Sequence, residues 1–151
     1  MDFLSWIYLA VFVLALGVLI FVRLQLVFTA RPNRFLVGFY AVAAVMIGGF
    51  TLVTSRTLAD YISGFFIAGM LALFALWRRG VTADSLITGV GRVTGLYTLA
   101  AVQLTTVDGG CVLEATVGTV TVAKLRLRQS AETVAAFLGE KMEPKRVVIV
   151  R

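Results

Sequence analysis

The run FLSWIYLAVFVLALGVLIFV, Phe3 to Val22, carries no charged side chain. About 20 residues at 1.5 Å each cover a hydrocarbon core of ~30 Å, so this stretch is a membrane span by length and by composition. It begins after Met1-Asp2, an acidic start, and its apolar part is longer than a signal peptide's. The expectation is therefore a permanent helix. Two further apolar runs follow, Phe35 to Val53 and Tyr61 to Trp77. The last is short, but Tyr61 and Trp77 bracket it as interfacial aromatics do, and Leu58 and Ala59 can extend it. Only Thr54 to Asp60 separate the second and third runs, which makes them a tight helical hairpin.

The basic residues give a direction. The loop between the first and second runs holds Arg23, Arg31 and Arg34, with Pro32 marking the break; these and Arg78 and Arg79 fall on one side of this arrangement and Arg56 on the other, next to Asp60. Lys and Arg collect in cytoplasmic loops, so the N-terminus is expected outside and everything after Arg79 in the cytoplasm. A plasma membrane is the expected home. The same bias accounts for a net charge of +6, with 14 Lys and Arg against 8 Asp and Glu. Hydrophobic residues reach 60% and charged residues 15%, against roughly 45–50% and about 25% in an ordinary soluble domain.

After Arg79 the pattern changes from long apolar runs to alternation, the period of half-buried strands. Residues 1–79 are read as the membrane domain and 80–151 as a soluble, β-rich cytoplasmic domain. Gly80 to Asp84 is expected to be a polar connector. Strands are expected near Ser85–Val93, Leu99–Val107, Cys111–Val117 and Thr119–Arg128, with Asp108-Gly109 as the hairpin turn between the second and third. A second turn is expected at Thr116 to Thr119. Ser130 can cap a following helix with Val134, Phe137, Leu138 and Met142 on one face, Lys141 at its end and Pro144 as its stop. Val147 to Val150 is expected to add an edge strand or to close over the sheet.

That order, in LYTLAAVQLTTVDGGCVLEATVGTVTVAKLRLRQSAETVAAFL, resembles the bacterial pleckstrin-homology-like domains fused to small membrane anchors. Leu99, Val102, Leu104, Val112, Leu113, Leu125, Leu127, Val134, Phe137 and Leu138 stand where such a domain places its core. The resemblance runs from Asp84 to Leu138 and consists of apolar pattern. It departs from the family in having three spans in place of two and an extra strand-like run at the end. It implies a PH-like fold, a membrane-side binding platform and a bacterial source, hence a bacterial plasma (inner) membrane, and it implies no substrate. The short NfeD-like membrane proteins, with a nucleic-acid-type barrel, are a rival match through Gly89-Val90-Gly91-Arg92, but the late helix speaks against them.

Little here points to catalysis. The chain has no His and a single cysteine, Cys111. Its carboxylates are scattered, and no ionisable residue lies mid-span. The expectation is a protein that is not an enzyme and needs no metal or cofactor. The Gly89 to Gly95 stretch lacks the spacing of a phosphate loop and reads as a turn or bulge.

Two sets of residues stand out as binding candidates. Lys124, Arg126 and Arg128, spaced by two, share one face of a strand. With Arg78 and Arg79 they offer a basic surface either to anionic lipid headgroups, at ~1 kcal/mol per residue, or to an acidic protein. Nucleic acid is not expected, because no stacking aromatics interleave with these charges. Gly64, Ala68 and Ala72, with Ala44 and Gly48, form small-residue stripes that let helices approach closely. They serve packing among the three spans or docking onto another membrane protein. Three functions fit: an accessory subunit of a membrane complex, self-associating or partnered; a lipid-binding module; and an immunity-type protein that shields a membrane target.

Overall fold

The computed structural model describes residues 2–151. Three long helices come first: α1 (Phe3–Gln25), α2 (Arg34–Thr54) and α3 (Leu58–Leu76). Each is long and apolar enough to cross a membrane, so this is a multi-pass membrane protein. They are interrupted by one strand, β1 (Leu26–Thr29), and followed by β2 (Gly80–Thr82), β3 (Ser85–Gly89), β4 (Arg92–Gly95), β5 (Ala101–Val107), β6 (Gly110–Val117) and β7 (Val120–Leu127). Helix α4 (Ala131–Lys141) and strand β8 (Val147–Val150) complete the chain. Two compact units result, one holding α1 to α3 and the other Gln25–Pro32 with Arg78–Arg151.

In the helical unit, local chemistry fixes the helix starts. Asn33, after Pro32, accepts from the Phe35 N–H at 3.1 Å. Thr57 Oγ1 accepts from the Asp60 N–H at 3.2 Å, and the Asp60 carboxylate accepts from the Thr57 N–H at 3.0 Å. This reciprocal pair satisfies two backbone donors that α3 cannot bond internally. Asp60 also accepts from the Arg56 backbone N–H at 3.3 Å, so the one carboxylate of this loop is committed to holding the α2–α3 hairpin.

In the β unit, two four-stranded sheets run in the orders β1-β2-β3-β4 and β7-β6-β5-β8. All pairs are antiparallel except β5 with β8, which are parallel. One core serves both sheets: Val81 and Leu86 of the first meet Leu104, Leu113 and Leu127 of the second, under Val134 and Leu138 of α4. The Phe137 ring stands edge-on to that of Phe28, with centroids 5.1 Å apart. Of the apolar positions picked out by resemblance, Val112 alone lies on the opposite, outer face of its strand, and Phe137 is half-buried.

Three local expectations are corrected. Gly80 to Asp84 is not a connector: Gly80–Thr82 is strand β2, entirely buried. The expected single strand Ser85–Val93 is a hairpin, β3 and β4, reversed at Val90-Gly91 with Gly91 at φ 71°. Positive φ is cheap for glycine, so the glycines that weaken a strand here make the turn. The interhelical segment Leu26–Thr29, read as part of a plain loop, pairs with β2 and belongs to the first sheet. Gly80 allows this, since a side chain there would strike the carbonyl oxygen of Phe28. The helix expectation holds: Ser130 accepts from the Thr133 N–H at 3.3 Å, with Lys141 in the last turn and Pro144 beyond. Val147–Val150 takes the edge-strand alternative.

Candidate functional site

The outer face of the sheet β7-β6-β5-β8 gathers most of the binding candidates of the β unit. From Val122 to Arg128 exposure alternates strictly: Lys124, Arg126 and Arg128 point to solvent, while Ala123, Leu125 and Leu127 are buried. Arg128 lies one residue beyond the strand's end but keeps the alternation. Strand register extends this face sideways in two rows. Lys124 lies beside Glu114, Gln103 and Val148, and Arg126 beside Val112, Thr105 and Val150. At ~4.8 Å per strand, the face is basic along β7 and becomes apolar toward the far edge, along β8.

The three basic residues are not equivalent. Lys124 Nζ sits 2.6 Å from Glu114 Oε1 across the β6–β7 pair. Glu114 thereby cancels one charge of the triad, so the face presents a net charge set by Arg126 and Arg128. The Lys124 side chain remains 69% exposed, and solvent screening keeps the stabilising value of such a pair below about 1 kcal/mol.

The backbone of β7 is covered on its outer edge at its C-terminal end. Ala30 forms a bridge with Leu127, and the Arg31 N–H donates to the Arg126 carbonyl at 2.7 Å. On its other side the Ala30 N–H donates to the Arg79 carbonyl at 2.9 Å. The segment from Leu26 to Arg31 therefore ties the two sheets together. Arg79 enters the site through its backbone; the side chains of Arg78 and Arg79 form no ion pair among the described residues.

Sequence reasoning missed this stave, because Leu26, Val27 and Phe28 are apolar in succession and the residue types do not alternate. In Leu26-Val27-Phe28-Thr29-Ala30, the even positions are buried or half-buried and the odd ones exposed. That is the period-two pattern of a strand, carried by the burial and not by the residue types.

The small-residue stripes meet partners inside the chain. Gly64 of α3 faces Thr51 of α2 so closely that any added side chain would collide with it. A Cβ added at Gly48 would meet the Ala68 methyl at 3.9 Å, and Ala68 is buried. Ala44 and Ala72 are half-buried on the same helices. Thr51 itself donates to the Ile47 carbonyl at 2.7 Å, which satisfies its hydroxyl inside the apolar hairpin. Gly69 likewise receives the Phe12 ring of α1, beside the stacked pair Tyr8 and Phe66. A cavity of about 250 Å³ between α1 and α3 is lined by apolar and aromatic side chains such as Leu9 and Phe65.

Cys111 is fully buried, on the inner face of β6. Burial pushes its thiol pKa up, and the nearby charge of Glu132 pushes it further the same way. A thiol held protonated is a poor nucleophile. Among the described residues, no three His, Cys, Asp or Glu side chains gather in a metal-binding group.

In comparisons with known proteins, the chain matches no family model, no curated protein and no solved structure.

Proposed function

We propose that this protein is a non-catalytic accessory or scaffolding subunit of a membrane protein complex in the bacterial plasma membrane. Its N-terminus lies outside, and its β unit, a PH-like platform, binds a protein partner in the cytoplasm. The arginine asymmetry supports the orientation. A helix packed over two small sheets that share one core supports the PH-like reading.

The outer face of the sheet β7-β6-β5-β8 carries the proposal, because it sets exposed apolar side chains beside exposed cations. Val122, Val148 and Val150 are each about two-fifths exposed or more, and Arg126 and Arg128 lie on the same face. Partner-binding surfaces combine apolar contact with Arg in this way. The helical stripes contribute less, since Gly64, Gly48 and Ala68 are occupied by α2–α3 packing.

A second reading, a stand-alone module for anionic lipid headgroups, is favoured by Arg126 and Arg128, which have no ionic partner among the described residues. Purification of the tagged full-length protein from its native membrane in mild detergent separates the two. A stoichiometric protein that stays bound at high salt supports the accessory subunit. A protein that emerges alone with anionic lipid refutes it in favour of the second reading.

A further inference from the structure

Natural sheets blunt their edges with charge, proline, bulges or cover, because an open edge is a template for another strand. The sheet ends at β7 and β4 follow that rule. The outer edge of β7 is covered at Arg126 and Leu127 by Ala30 and Arg31, and the strand carries Lys124 and Arg126. The end strand β4 carries Arg92 and pairs with β3 through an irregular register between Ile87 and Gly89. The end strand β8 has none of these devices. Val147-Val148-Ile149-Val150 holds no charge, no proline and no bulge, and it pairs in regular register with β5 alone. Val148, Ile149 and Val150 are 46%, 39% and 42% exposed, so apolar surface is open on both faces of the strand.

Charge brackets this apolar edge. Lys145 and Arg146 precede it and Arg151 follows. Arg146 is paired with Glu143 at 3.4 Å, while Lys145 and Arg151 have no ionic partner among the described residues. These flanks argue against a second copy as the occupant. Antiparallel self-pairing centred on the strand, with Val147 opposite Val150, would set Arg146 against Arg151 of the copy. Like charges directly opposite are destabilising. An acidic-flanked strand meets the same positions with opposite charge.

We propose that β8 is a docking edge that takes up an extended segment of a partner protein, an apolar strand with acidic flanks, as a fifth strand of the sheet β7-β6-β5-β8. Main-chain hydrogen bonds supply the pairing, Val148 and Val150 supply apolar contact on the outer face, and Lys145 and Arg151 select the flanks. This assignment rests on the accessory-subunit reading and gives its partner a chemistry.

The test uses the full-length protein in nanodiscs of zwitterionic lipid and a fluorescein-labelled peptide, Glu-Glu-Val-Thr-Val-Thr-Glu-Glu, followed by anisotropy. Saturable binding is expected, weakened at least tenfold in the double variant Lys145→Glu, Arg151→Glu and recovered there by a Lys-flanked peptide. A peptide with Pro-Pro in place of the central Thr-Val pair is expected not to bind. Equal binding by the double variant or by the Pro peptide overturns the proposal, as does the absence of saturable binding. Cross-linked homodimers that the acidic peptide does not displace also overturn it. The same variant, purified from native membranes, separates this proposal from the reading beneath it. A stoichiometric partner retained by the variant removes the edge assignment and leaves the accessory subunit standing. Peptide binding without any native partner does the reverse.

Discussion

The Arg31 guanidinium donates to the carbonyl oxygen of Gly109 at 2.8 Å, joining the segment between α1 and α2 to the β5–β6 turn 78 residues away. Gly109 adopts φ 77°, the conformation this turn requires, and an added Cβ there would sit 2.7 Å from the Arg31 terminal nitrogen. One glycine therefore serves both the turn and the contact. Arg31→Ala removes a charge-assisted hydrogen bond at an exposed site and is expected to cost about 1 kcal/mol. Gly109→Ala strains the turn as well and is expected to cost more. Thermal unfolding of the full-length protein in detergent, followed by near-ultraviolet circular dichroism, checks the order; an unchanged Tm in both variants would contradict it.

The α2–α3 hairpin makes a contrast between two glycines. Gly64 is closed off by Thr51, whereas Gly38 has nothing within 4 Å of a side chain built on it. Gly64→Leu is expected to lose about 1–3 kcal/mol through overpacking, seen as a lower melting temperature in detergent. Gly38→Leu is expected to leave the melting temperature nearly unchanged. Equal tolerance at both positions would mean that these helices do not meet along the Gly64 stripe.

Cys111 predicts an alkaline effect. Its folded-state pKa is raised, chiefly by burial and then by Glu132, so the protonated thiol is the form the fold favours. The stability this contributes is complete below the thiol's ordinary value of 9.0, and it declines as pH rises through the folded value. The stability advantage of wild type over Cys111→Ala should shrink as the pH climbs above that point. A hydrophilic maleimide should label Cys111 at neutral pH only after unfolding. Rapid labelling of the folded protein would place the thiol at the surface.

Glu114 holds Lys124 in a largely exposed pair, so Glu114→Gln should change stability by less than about 1 kcal/mol. It removes one negative charge from the outer face and raises the face's net charge by one. Co-sedimentation with vesicles rich in phosphatidylserine should therefore increase, and the increase should fade toward 1 M salt, where the Debye length is about 3 Å. No increase at low salt would remove this face from any encounter with anionic lipid.

Much of this architecture is legible in the residues because two periodicities are strong. Uninterrupted apolar runs mark α1 to α3, and strict alternation from Ala123 to Leu127 marks β7 and its basic face. Caps at Ser130 and Thr57 act through neighbours three residues away, so local sequence contains them. Other features depend on partners distant in the chain. Nothing near Leu26–Thr29 announces that its pairing partner is Gly80–Thr82, and nothing near Lys124 announces Glu114. The hairpin within Ser85 to Gly95 was hidden for a different reason, since Val90-Gly91 supports either a bulge or a full reversal until the strands are paired. The contrast between β8 and the sheet ends at β4 and β7 became visible only once strand order was known.

Site-specific photo-crosslinking in living cells tests the central claim most directly. A benzophenone side chain placed at Ile149 of the full-length protein should, on irradiation, yield one adduct of discrete mass with another protein. The same group at Val27, on the exposed side of β1, should not. An adduct that forms at Ile149 and disappears with Lys145→Glu, Arg151→Glu is the result expected of an accessory subunit whose β unit receives its partner at β8. No protein adduct at Ile149, with crosslinking to lipid alone, would contradict that account.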